Sequence, residues 1–239
     1  MRWFTAELIV VGPTGAVKLG NRRISLNEKG ELGRSGAISQ DIVTLPLAAA
    51  FLLLLWSYAR NGGVAGLIGV IGGLGYFFYA YGLYTIEAYY TVLYPLYLSI
   101  FGLSLWGIIF GFLKLAPALA NGVELPRSGR VSTAVFLLII PAVLVPVWLM
   151  QMFSMVASHT PKTTYAVLIL DLTVVFPALI LTATGLLRKT PWAGAISGVM
   201  LIKVFTVCIS WCFGEVRMII LERSEDPLLA FISGALTLV

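Results

Sequence analysis

The sequence predicts an all-α fold: a polytopic transmembrane helix bundle of six full spans plus a partial seventh C-terminal helix. Three observations carry that expectation. The 239 residues are 59% hydrophobic, with a mean hydropathy of +0.95. Only 11% are charged, where a soluble domain carries about 25%. Apolar runs of roughly 18 residues or more, long enough to cross bilayer hydrocarbon as helices, recur along the chain. A soluble domain of this length has no interior for so much apolar side chain.

Residues 1–40 are mixed and polar, with "VGPTG" and "NEKGELGRSG" as turn signals. They read as an extramembrane tail containing an interfacial or hairpin piece. The bundle occupies residues 41–221. Its first span is expected from Asp41, a good N-cap, to Tyr58. "RNGG" then makes a tight turn into a second span from Val64 to Ile86, and a third follows from Thr91 to Leu115. "APALANGVELPRSGR" is the longest internal loop. The fourth span, Val131 to Ala157, carries Pro141 and Pro146, which should bend it. The fifth, Thr164 to Leu187, carries Pro177, and the sixth runs from Trp192 to Leu221. Within residues 222–239, "PLLAFISGALTLV" is apolar but reaches only about 20 Å as a helix. It is expected as a partial seventh helix or a re-entrant tail.

The net charge of +5 (16 basic, 11 acidic residues) is spread over short loops. That pattern orients a membrane protein, and no nucleic-acid partner is expected. Arg60, Lys114, Arg127, Arg130, Arg188 and Lys189 follow the odd-numbered spans, against Lys162 alone after the even-numbered ones. The expected placement is therefore the cell membrane, multi-pass, with the N-terminus extracytoplasmic. Arg22, Arg23, Lys29 and Arg34 in the tail oppose this orientation; the internal loops outweigh them.

Four short motifs resemble an uncharacterised family of prokaryotic multi-span (six to seven helix) integral membrane proteins. They are "SQDIVTLPLAAAF", the tyrosine-rich turn after the second span, "DL" followed by Pro177 and "LLRKTPW", and "LIKVFTV". The likeness covers about residues 38–215. It implies the topology and nothing about chemistry.

Candidate functional residues come from the polar side chains in or beside the spans. Residues 75–98 hold eight of the ten tyrosines around a single acid, Glu87. Interface anchoring accounts for Tyr84, Tyr89, Tyr90 and Tyr94 at the turn. Yet Tyr90, Tyr94 and Tyr97 fall on one helix face, and Tyr76 shares a face with Glu87 if the second helix persists that far. Asp171 and Lys203 are ionisable residues inside spans, where they normally face the bundle interior. Their levels differ by roughly 9 Å, so a direct ion pair is not expected. Lys203 should snorkel or bond the Thr173 carbonyl that Pro177 leaves free. Structural contact between helices is the plainer explanation for both. The binding hypothesis collects Asp171, Glu87, Tyr76, Tyr94, Tyr97 and Lys203.

Gly62, Gly66, Gly69 and Gly73 make a smooth face on the second span, and Gly107 and Gly111 a GxxxG on the third; both suit close packing. Cys208 and Cys212 share a face of the sixth span, with His159 the one histidine. That set is too small for a metal site, so no metal or cofactor is expected. No Walker loop, HExxH or Gly-x-Ser-x-Gly occurs, and no catalytic residue is assigned. The expected partners are the lipid bilayer, a small-molecule or ion ligand, and a membrane-protein partner or second copy. The leading function is a binder or carrier with an outward-facing aromatic and acidic pocket. A non-catalytic scaffold or accessory subunit is the alternative, and a lipid-modifying enzyme the weakest.

Orientation is testable with cysteines placed at Glu87 and Asn121 and an impermeant thiol reagent on intact cells. Glu87→Cys should label and Asn121→Cys should not. The reverse pattern overturns the orientation.

Overall fold

Bilayer hydrocarbon offers no water to backbone N–H and C=O groups, so a chain this apolar must satisfy them within helices. The structure, a computed structural model, describes residues 17–19, 22–24, 26–87, 92–123, 125–159 and 165–220, with side chains from residue 42 to residue 213. Among the described residues, six helices are long and apolar enough to span a membrane, and the chain is an integral membrane protein built as a helix bundle. They are α1 (Leu26–Asn61), α2 (Val64–Ile86), α3 (Tyr94–Asn121), α4 (Arg127–Ser158), α5 (Tyr165–Leu187) and α6 (Ala193–Ile220). Ahead of them β1 (Val17–Leu19) pairs antiparallel with β2 (Arg22–Ile24), Val17 opposite Ile24. The expected seventh helix falls in residues outside the described ones.

Helix ends follow local chemistry, with three differences from the sequence reading: α1 begins at Leu26, α3 runs on to Asn121 and α4 begins at Arg127, so most of the stretch expected as the longest internal loop is helical. The backbone is helical from Leu26, so Asp41 lies inside α1 instead of capping it; only Ile42–Asn61 is apolar enough to span. Gly30, Gly33 and Gly36 weaken that stretch by about 1 kcal/mol each, but its first proline, the residue type that breaks a helix outright, is Pro46. Helix α3 likewise continues through Pro117 to Asn121 and stops at Gly122, whose φ of 78° suits glycine. Its start is set by Pro95 in the first turn. Gly62 and Gly63, both at positive φ, turn α1 into α2.

Helices α2 and α5 are the inner members: 44% of each apolar window is buried, against 6% for α3. Helix α2 packs on α1, α3, α6 and the first part of α5. Gly66, Gly69 and Gly73 receive Tyr58, Leu54 and Phe51 of α1, while Gly107 and Gly111 of α3 receive Leu74 and Ile71 of α2. Two cores result. Leu67, Ile71, Leu115, Ala195 and Val199 join α2, α3 and α6. Leu137, Ile140, Phe176, Leu179 and Leu186 join α4 and α5, with Val204 and Cys208 from α6. Met200 packs against both.

Helix α5 has three parts. Tyr165–Leu170 is α-helical and rests on α2; Phe176–Leu187 is α-helical and rests on α4 and α6. Between them Asp171–Val175 forms a π-helical turn, in which the Phe176 N–H donates to the Asp171 carbonyl. A wide turn of this kind shifts the phase of all that follows. It lets one helix serve two neighbouring faces.

The α2–α6 contact is the tightest test of this packing. A Cβ on Gly72 would lie 2.7 Å from Ile202 Cβ and 3.2 Å from the Val199 carbonyl oxygen, whereas one on Gly69 meets only the tips of Leu54. Gly72→Ala should therefore destabilise the bundle by about 1–3 kcal/mol, and Gly69→Ala by clearly less. Thermal unfolding in detergent checks the order, and equal midpoints contradict the packing.

Candidate functional site

A carboxylate inside an apolar span is costly unless neighbouring groups meet it. Asp171 opens the wide turn of α5 at the point where the helix passes from α2 to α4, and it is 6% exposed. From α4, the Trp148 indole N–H donates to Asp171 Oδ2 at 2.8 Å. From α2, Tyr79 lies close enough to the same carboxylate to interact with it electrostatically. Tyr79 in turn offers its ring face to Lys203 of α6, whose Nζ lies 4.3 Å from the centroid. Lys203 has room there because Gly75 of α2 carries no side chain: a Cβ would sit 3.2 Å from Lys203 Cγ.

The acid and the lysine are thus joined through one phenol. Its ring faces the cation and it lies within electrostatic range of the anion, as Asp171 and Lys203 do of each other. Lys203 neither snorkels nor turns to Thr173; its ammonium is seated on Tyr79, and the Thr173 hydroxyl bonds the Ile169 carbonyl within its own helix. A hydrogen bond to a charged group contributes about 1.5–3 kcal/mol, and a desolvated cation–π contact about 2 kcal/mol. The row Trp148–Asp171–Tyr79–Lys203 therefore ties α4, α5, α2 and α6 together at one level.

The remaining residues of the binding hypothesis lie around this row in separate contacts. Tyr76 is buried and its hydroxyl pairs with Thr44 Oγ1 of α1 at 2.8 Å. Tyr97 packs on Tyr84 (5.0 Å between centroids) and Tyr81 (5.7 Å). The Tyr94 hydroxyl donates to the Thr85 carbonyl at 3.3 Å. Glu87 follows the last turn of α2, its N–H bonded to the Leu83 carbonyl, and its charge reaches Tyr79. Tyr89 and Tyr90 lie outside the described residues. Tyr165 adds a contact of the same kind as Tyr94, donating to the Ile86 carbonyl at 2.7 Å. Two phenols from neighbouring helices thus meet carbonyls that the end of α2 leaves without intrahelical donors.

Tyr79 and Trp148 escaped the sequence reading. Tyr79 belongs to the tyrosine-rich stretch but off the stripes singled out there. Trp148 had a usable signal: an indole N–H well inside an apolar span needs an acceptor, and Asp171 is a carboxylate inside one. Cys208 is buried in the α4–α5–α6 core and Cys212 is half-buried; both thiols are free. No group of three or more metal-ligating side chains occurs among the described residues. No known family model, curated protein or solved structure matches the chain, so its likeness to a prokaryotic family rests on the motifs alone.

Proposed function

We propose that this protein binds a proton or small cation at Asp171 and carries it, or a small molecule coupled to it, through the bundle. The observation that supports this reading is the seating of Asp171 in the π-helical turn, facing Trp148, Tyr79 and Lys203 from three other helices. A carboxylate with donors on several helices responds to a change in its own charge by shifting all of them. A wide turn, already off the regular ladder, is a place where a helix adjusts at low cost. Tyr79 relays that change to Lys203, since it lies within electrostatic range of both charges. In this reading Glu87, Tyr76, Tyr94 and Tyr97 frame the approach from the tyrosine end, taken as extracytoplasmic from the charge of the basic loops.

A scaffold is the second reading, and the Trp148–Asp171 bond favours it as well, since a single carboxylate tying α4 to α5 would serve a static bundle. The two readings part at Asp171→Asn, which keeps shape and an acceptor for Trp148 but removes the charge. In proteoliposomes under an imposed membrane potential, proton, Na+ and K+ fluxes are followed with lumenal indicators. The wild type should pass one of these ions, and Asp171→Asn should cut that flux at least about tenfold, a barrier increase of ~1.4 kcal/mol. Its melting temperature should lose the dependence on pH or on that ion shown by the wild type. Wild-type and variant proteins that behave alike in both assays overturn the carrier and leave the scaffold.

A second test concerns the row itself. Trp148→Phe removes one donor while keeping an aromatic ring, and it should lower stability in detergent by about 1–3 kcal/mol. The loss should shrink when Asp171 is already Asn. Additive losses in the double-variant cycle contradict a direct coupling.

A further inference from the structure

At the end of the bundle opposite the tyrosines, the α3–α4 and α5–α6 connections enclose a cleft of about 390 Å³. Two of its lining side chains are cationic: Arg130, in the first turns of α4, and Lys189, just past the end of α5. Asn121 and Thr190 add polar groups at its wall, and Leu125 and Leu186 give it an apolar side. Gly194, in the first turn of α6, also lines it, so the positive end of that helix opens there. No carboxylate occurs among the described lining residues.

Two other cations of this end are disposed differently. Arg60 lies over the Trp56 ring at 4.4 Å and Lys114 over Tyr58 at 5.2 Å. Both use aromatic faces of the bundle's own surface. Arg130 and Lys189 instead converge from two different connections on one concave space. Loop charge that only orients the chain has no need of a cleft or of convergence. The cleft also lies at the ends of spans, the level where lipid headgroups meet the protein, and it pairs cations with an apolar wall.

We propose that this cleft binds the phosphate of an anionic phospholipid headgroup, with Arg130 and Lys189 on the phosphate and the Leu125–Leu186 side against the start of an acyl chain. A basic pocket between spans at headgroup depth is suited to such a ligand. The site is separate from the Asp171 row, so its failure leaves that reading untouched.

The test measures binding of dihexanoyl phosphatidylglycerol to the full-length protein in a neutral detergent, with dihexanoyl phosphatidylcholine and inorganic phosphate as parallel probes. Phosphatidylglycerol should bind more tightly than either. Arg130→Gln and Lys189→Gln should each weaken it about fivefold, and together roughly 25-fold, with melting temperatures unchanged. Arg188→Gln, one residue from Lys189 but outside the cleft lining, should change it less than about twofold. Arg130→Lys should restore most of the loss at that position. Glu124 belongs to the α3–α4 loop and lies outside the described residues; Glu124→Gln should leave binding equal or tighter. Three results overturn the proposal: equal losses at Arg188 and Arg130, equal affinity for phosphatidylcholine, or inorganic phosphate binding as tightly as the lipid, which would assign the cleft to free phosphate compounds.

Discussion

Polar groups in these spans have no water to turn to, and nearly every specific contact in the bundle answers that shortage. No buried side-chain nitrogen or oxygen among the described residues lacks a hydrogen-bond partner. Thr85, Thr173, Thr182, Thr184 and Thr206 return their hydroxyls to carbonyls three or four residues earlier in their own helices. Tyr94 and Tyr165 attend to the carbonyl end of α2. Asp171 is the extreme case, because a carboxylate asks for several donors and its own helix can supply few. Its needs are met from α4 and α2, and those contacts fix how the helices sit around α5.

The two ends of the bundle solve different problems. One end is held by phenols, whose rings pack on each other while their hydroxyls meet backbone carbonyls. The other is held by cations that lie on aromatic faces or converge on the cleft. Between them much of the packing is carried by small residues, which bring α2 close to α1, α3 and α6. Cohesion in the middle is therefore largely a matter of shape, to which the Thr44–Tyr76 bond and the Asp171 row add directional contacts. A single row of this kind couples four helices more tightly than apolar packing could, since apolar surfaces slide at little cost and a hydrogen bond does not.

Much of the fold was legible in the sequence because spans are written in composition. Four of the five connections carry Gly, Pro or clustered charge, and the ends of α2 agree with the reading to the residue. The extension of α1 to Leu26 was hidden because weak helix formers without proline look like a loop. Asp171 and Lys203 were legible as ionisable residues in apolar runs, but their neighbours were not. Partner choice depends on how each helix is rotated about its axis, and helices that are apolar all round carry little record of that rotation. The wide turn at Asp171–Val175 hid more, since regular 3.6-residue spacing cannot be carried across it. That is why depth alone separated Asp171 from Lys203, while Tyr79, which lies between them, went unnoticed.

The turn of Gly62 and Gly63 has a consequence for how the protein enters its membrane. Only these two residues separate α1 from α2, both in backbone conformations that glycine tolerates, and open space surrounds the position of a Cβ on either. Such a link leaves no polar segment to cross the bilayer on its own. The two helices must therefore be delivered by the insertion machinery as one hairpin, with Tyr58, Leu54 and Phe51 already facing the glycines of α2. The first step of biogenesis is then a single committed event. The later helices assemble against a surface that was finished before they emerged from the ribosome.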